Sequence, residues 1–199
     1  MRTDFYLVRH AKKEKGMGDV ALSSEGVLEA LATARYLCEI PITRILCSPL
    51  QRAKQTAAII ANETGAGLSE DSRLRERANW GDLPGQSFEA FVEMWNRCTQ
   101  DRDFTPPAGD SARQAGERLA SCLLELSAEH PPAPILVVTH GGLITDFLVH
   151  VIAEAELDKW HSRFLAEQSQ LVAECSITRV SCEDGRFRLV DFANTAHLV

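Results

Sequence analysis

The sequence has no apolar run approaching the roughly 20 residues that a membrane-spanning helix needs, so nothing in it marks a membrane protein. It also has no CxxC pair and no Cys/His spacing suited to a metal. Cys38, Cys47, Cys98, Cys122, Cys175 and Cys182 are scattered, several inside apolar stretches where a thiol simply packs, and they read as reduced and structural. An excess of positive charge is missing too. The 21 Lys plus Arg stand against 28 Asp plus Glu, and a formal net charge of −7 offers no overall field for a nucleic-acid backbone or an anionic lipid surface. Neither nucleic acid nor membrane is therefore an expected partner. No internal repeat or low-complexity tract is visible, and no signal-like segment precedes the apparent strand at Asp4 to Val8, so a cytoplasmic location is expected.

What is present is an ordinary globular composition, 45% hydrophobic and 25% charged over 199 residues, enough for one good core in one domain spanning 1–199. Phe5-Tyr6-Leu7-Val8 and Ile135-Leu136-Val137-Val138 are continuous apolar runs, the pattern of strands buried on both faces of a parallel sheet. Arg44 to Cys47 is a third such strand. It ends at Ser48-Pro49, which supplies a hydroxyl for an N-cap and a proline for the first helical position. Val27, Leu28, Leu31, Ala34 and Cys38 form one expected apolar helix face, and Leu143, Ile144, Phe147, Leu148 and Val151 another. Between Gly81 and Gly109 the pattern becomes turn-rich with one helix at Ser87 to Thr99, read as an inserted cap over about 77–109. Ser176 to Ser181 and Arg186 to Phe192 alternate around Asp184-Gly185, a hairpin at a sheet edge.

In open α/β sheets, ligands sit beyond the carboxyl ends of the strands. Arg9 and His10 follow the first strand directly. His140 and Gly141-Gly142 take the equivalent place after Ile135 to Thr139, where a helix start offers free N–H groups to an anion. Arg52 lies in the first turn of the helix after the third strand, within reach of the same rim and able to grip a phosphoryl group with two parallel donors. Each residue alone has an ordinary reading as a surface or capping side chain. Four of them at the ends of three strands make an anion pocket. Net charge being negative, the attraction must be local, and the densest basic stretch is Arg9, Lys12, Lys13 and Lys15.

The flanking sequences sharpen this into a resemblance. Leu7-Val8-Arg9-His10, Ser48-Pro49-Leu50-Gln51-Arg52-Ala53-Lys54-Gln55-Thr56-Ala57 and Val138-Thr139-His140-Gly141-Gly142 resemble the blocks of the histidine phosphatase superfamily. Shorter echoes at Leu22 to Gly26, Leu74-Arg75-Glu76, Gly109-Asp110-Ser111 and Asn194 to Leu198 extend the likeness over nearly the whole chain. Ala11 stands where the family usually has glycine, and Lys12-Lys13-Glu14-Lys15 departs from the better-known mutases. The resemblance implies an α/β fold: a three-layer α/β/α sandwich with a mostly parallel central sheet, an antiparallel edge strand and a small cap insertion. It also implies phosphomonoester hydrolysis without metal or other cofactor, through a phosphohistidine on His10. Arg9, Arg52, His140 and Gly141 would bind the phosphate, and Glu76 would be the general acid, with Asp82 in reserve. The expected substrate is a small phosphate ester. A phosphoprotein carrying phosphohistidine, a phosphoglycerate-type mutase reaction and a non-catalytic phosphate-binding module are the alternatives. Trp80, Phe91 and Trp95 are candidates for the substrate entrance. Oligomeric state, and whether Lys12, Lys13 or Lys15 touches substrate, stay open.

Overall fold

The computed structural model describes residues 2–129 and 134–198. Its strands are β1 (Arg2–Arg9), β2 (Arg44–Cys47), β3 (Gly67–Glu70), β4 (Ile135–Thr139), β5 (Ile177–Glu183) and β6 (Arg186–Asn194). The helices are α1 (Ser24–Leu37), α2 (Gln51–Thr64), α3 (Phe88–Gln100), α4 (Ala112–Glu129), α5 (Gly141–Val151), α6 (Glu154–Leu157) and α7 (Phe164–Leu171). The six strands form one sheet in the order β3-β2-β4-β1-β5-β6. Pairing is parallel from β3 through β1 and antiparallel for β1–β5 and β5–β6. Among the described residues, no helix is long and apolar enough to cross a membrane.

The continuous apolar runs are explained by cover on both faces. Successive side chains of a strand point to opposite sides, so Phe5, Leu7 and Val137 pack with Leu119 and Leu123 of α4 and Ile144 and Phe147 of α5. Tyr6, Val8, Leu136 and Val138 turn the other way, onto Ala34 and Leu37 of α1 and Ala53, Ala57 and Ile60 of α2. This is the expected three-layer sandwich, closed on its β1 side by the expected antiparallel hairpin, β5 and β6. Their hairpin turns at Asp184-Gly185, both at positive φ (49° and 74°).

The buried face of α1 differs from the expected one. Val27 and Leu28 are exposed, while Gly26, Ala30, Thr33, Ala34 and Leu37 are buried. The loop after β1 crosses the helix so closely that a Cβ on Gly26 would lie 1.9 Å from the Lys12 carbonyl oxygen, so the helix turns its smallest residue inward. The Ser48 cap is likewise corrected. Helix α2 starts at Gln51 with Leu50 at the N-cap, whose apolar side chain has no acceptor; Ser48 lies two residues earlier and its hydroxyl accepts from the Leu50 N–H, before the helix begins.

Candidate active site

Backbone hydrogen bonds continue past the strand ends and tie four loops together. The His10 N–H donates to the Thr139 carbonyl at 2.8 Å, Ser48 N–H to Val138 at 3.0 Å, and Cys175 N–H to Arg9 at 3.0 Å. The rim thus holds His10, Ser48, His140 and Glu174 in fixed relation. The His10 and His140 rings stand edge to face with centroids 5.2 Å apart. Arg52, the second residue of α2, is nearly buried and directs its Nε to the Nε2 of His10 at 3.2 Å.

This geometry fixes the His10 tautomer. Nδ1 lies 2.8 Å from the Ala11 carbonyl oxygen, which can only accept, so Nδ1 carries the proton. Nε2 then presents its lone pair to Arg52 and the cavity. Burial, together with the Arg52 charge, lowers the His10 pKa well below 6.5, and burial followed by the neighbouring His10 does the same to His140. The unfolded chain therefore binds protons below about 6.5 that the folded chain refuses. Stability contributed by these rings is complete above that pH and is lost as pH falls towards their folded values. We expect the His10 ring Cε1–H NMR signal to show no titration midpoint near 6.5 and to keep its neutral shift well into acid. A midpoint at or above 6.5 would overturn the buried-neutral assignment.

The other rim groups divide by what already occupies them. His140 Nε2 lies 2.8 Å from the Ser48 hydroxyl, while His140 Nδ1 and Arg52 Nη1 are buried without a hydrogen-bond partner among the described residues. Arg52 Nη2 donates to Asn79 at 3.2 Å. Arg9 lines the same cavity, but its guanidinium donates to the Val172 carbonyl at 2.5 Å and pairs with the Glu174 carboxylate at 2.6 Å. Glu76 accepts from the Gly142 N–H through Oε2 and from the Arg77 N–H through Oε1, both at 3.0 Å, so its carboxyl stands at the start of α5 inside the cavity. Asp82 does not enter it and pairs with Arg75 at 2.9 Å on another face. Of the three lysines, Lys13 lines the cavity and Lys12 pairs with Glu25; Lys15 is not a lining residue.

Helix α5 begins at Gly141 with no cap bond from the His140 side chain; Glu76 takes the Gly142 N–H, and the Gly141 N–H is left for an anion. Gly142 is a packing requirement, since a Cβ there would sit 2.5 Å from the Trp95 ring and 2.8 Å from Glu76 Oε1. The cavity, about 330 Å³, is walled on its outer side by Trp80, Phe88, Phe91, Val92 and Trp95. Among the described residues, no three His, Cys, Asp or Glu side chains are grouped so as to hold a metal ion.

The model of the histidine phosphatase superfamily (branch 1) matches residues 5–195. The chain belongs to that superfamily. It is 33% identical to a probable phosphoglycerate mutase GpmB of Escherichia fergusonii over 198 residues, covering 92% of this chain and 86% of the relative. A mycobacterial glucosyl-3-phosphoglycerate phosphatase in complex with inorganic phosphate superimposes with a TM-score of 0.77 at 25% identity, over 98% of this chain and 99% of that one. A phosphoserine phosphatase from Entamoeba histolytica in complex with 3-phosphoglyceric acid has the same fold, with a TM-score of 0.76 at 23% identity over 99% and 100% of the two chains.

Within this histidine phosphatase, several residues at the cavity fall outside the motif reading. Ser48 lay inside a recognised block but was assigned to a cap. Asn79 and Glu174 lie in irregular segments with no periodicity to mark them. Arg77 and Asp146 form a buried ion pair behind Glu76: Arg77 Nη1 reaches both Asp146 oxygens, at 3.0 and 3.1 Å. Arg77 Nη2 donates to the Trp95 carbonyl and to Thr99, and its guanidinium lies 3.8 Å from the Trp95 ring centroid. The pair therefore fastens α3, which carries the aromatic wall, to α5, which carries the anion-binding turn. Nearby, the Asp110 N–H donates to the Arg77 carbonyl at 2.7 Å and closes the base of the segment bearing α3.

Proposed function

We propose that this chain is a phosphomonoester hydrolase of the cytoplasm, acting on a small phosphate ester through a phosphohistidine on His10 and without a metal ion. The observation that carries the reading is the His10 tautomer: a buried neutral ring whose Nδ1–H is held by a carbonyl and whose Nε2 lone pair opens on the cavity. Nε2 attacks phosphorus, the ester P–O bond breaks, and Glu76 gives its proton to the departing alcohol oxygen. Water then attacks the phosphohistidine, Glu76 takes a proton from it, and His10 leaves with its lone pair restored as inorganic phosphate is released. The Arg52 guanidinium moves its donors from His10 Nε2 onto the phosphoryl oxygens, so the orphaned Arg52 Nη1 gains a partner. Ser48 accepts from the Leu50 N–H and is free to donate to His140 Nε2, which leaves the ring's single proton on Nδ1, also aimed at the anion. Arg9 and the Gly141 N–H complete the cradle. The arginines supply the charge neutralisation that a bound cation would otherwise give.

A cavity of about 330 Å³ favours a small ester over a folded phosphoprotein. The phosphatase named among the solved structures supports hydrolysis, and the relatives named phosphoglycerate mutase favour phosphoryl transfer between hydroxyls as the second reading. The test is to quench the protein in base during p-nitrophenyl phosphate turnover in EDTA. Phosphate bound to residue 10, stable in base and released in acid, with steady phosphate release, is expected. Turnover that needs added magnesium would remove the metal-free claim. Rapid isomerisation of phosphoglycerate with no phosphate release would select the mutase.

A further inference from the structure

Helix α3 is strongly amphipathic, yet it buries only Cys98. Phe88, Phe91, Val92 and Trp95 recur at spacings of three and four, the period of one helix face, and all line the cavity that contains His10. Phe88 is 52% exposed and Val92 37%, so this face packs on space rather than on core. Trp80 adds to it, edge to face with Phe88 at 5.1 Å between centroids. The tryptophans are held in place: Trp80 Nε1 donates to the Gln86 carbonyl at 3.0 Å, and Trp95 Nε1 to Ser169 at 3.3 Å, with Arg77 stacked on its ring. Both indole N–H groups are thereby spent within the protein. Neither is left for a sugar hydroxyl.

Charge points the same way. The cations lining the cavity are Arg9, Lys13 and Arg52, and the carboxylates are Glu76 and Glu174. Glu174 already takes Arg9. The phosphoryl group draws on Arg52 and on the Arg9 that Glu174 holds, which leaves Lys13 as the remaining lining cation beside Glu76 and Glu174, so a carboxylate on the substrate would enter an aromatic-walled space where lining carboxylates outnumber that cation.

We propose that the alcohol half of the substrate is an aromatic or flat apolar group without a carboxylate, seated on the α3 face and Trp80. This deepens the phosphatase reading and rests on it for the placement of the phosphoryl end. The experiment measures kcat/KM for 2-phenylethyl phosphate and for 3-phosphoglycerate, and in parallel the calorimetric affinity of 3-phenylpropylphosphonate and of 3-phosphonopropionate, neither of which can be hydrolysed. The arylalkyl compound is expected to win at least tenfold in both measurements. Phe88→Ala, at an exposed position, should cut that advantage severalfold in both kcat/KM and calorimetric affinity, while the urea unfolding midpoint stays close to wild type. Equal or better use of the carboxylated partners, or discrimination unchanged in Phe88→Ala, overturns the inference even if hydrolysis is robust. Tight aryl phosphonate binding with no turnover of any ester would sink the phosphatase reading and leave the aryl site standing.

Discussion

Replacing His10 with alanine should reduce phosphate release from p-nitrophenyl phosphate by a factor on the order of 10³ to 10⁶, the range seen when a covalent nucleophile is removed from a preorganised site. No base-stable phosphoprotein should be trapped from the variant. The loss is chemical rather than structural, because among the described residues the ring makes only two hydrogen bonds, to the Ala11 carbonyl and from Arg52 Nε, and the flanking backbone remains tied to Thr139 and Cys175. Urea unfolding at pH 7 checks this, and the midpoint should move little. At pH 5 the variant should lose less stability than wild type, since one of the two buried rings that resist protonation is gone. Retention of a tenth or more of wild-type turnover would exclude His10 as the nucleophile.

The largest effect on stability is expected at Asp146. Its carboxylate is fully buried against Arg77, itself only 2% exposed, and Asp146→Ala strands that guanidinium without its anion. Breaking a buried pair from one side costs about 3–5 kcal/mol, which for a chain of this size lowers the thermal midpoint by roughly 10 °C. Desolvation raises the Asp146 carboxyl to about 7 even against the pull of Arg77, so its negative charge depends on that guanidinium. The double replacement Arg77→Met with Asp146→Leu should recover much of the loss. Activity should stay low in it, because the Trp95 ring loses its support and Glu76 its fixed neighbour. A single variant that unfolds within 1 kcal/mol of wild type would show that the pair contributes nothing net.

What could be read from the sequence follows from where the signal is local. Phe5 to Val8 and Ile135 to Val138 announce themselves because both faces of those strands are buried, and the residues just after them inherit the address of a strand end. Gly67–Glu70 joins the sheet as an edge strand exposed along its length, so no apolar pattern marks it. Helix α4 lies between the family blocks and carries none of them, though its Leu119 and Leu123 are core residues. The buried face of α1 departs from its apolar pattern because Gly26 is covered by a backbone crossing and Thr33 bonds to His197, neither of which hydrophobicity encodes. Arg77 and Asp146 are far apart in sequence, and each alone reads as a solvated charge. Glu174 sits in a turn before Cys175, whose φ is 54°, and only the fold brings it to Arg9.

The sheet order also says something about how the chain reaches this state. β1 precedes both of its sheet partners in sequence, since Phe5 pairs with Ile135 on one side and Val180 on the other. Both partners are synthesised well after it, so the strand must wait, with Phe5-Tyr6-Leu7-Val8 uncovered, until β4 and β5 exist. Closing such long loops is slow, and an apolar strand held open in the meantime is prone to wrong pairings. A chain truncated before β5 would lack one wall of the slot into which β1 inserts. The residue proposed to carry the phosphate is thus made long before the strands that set it in place.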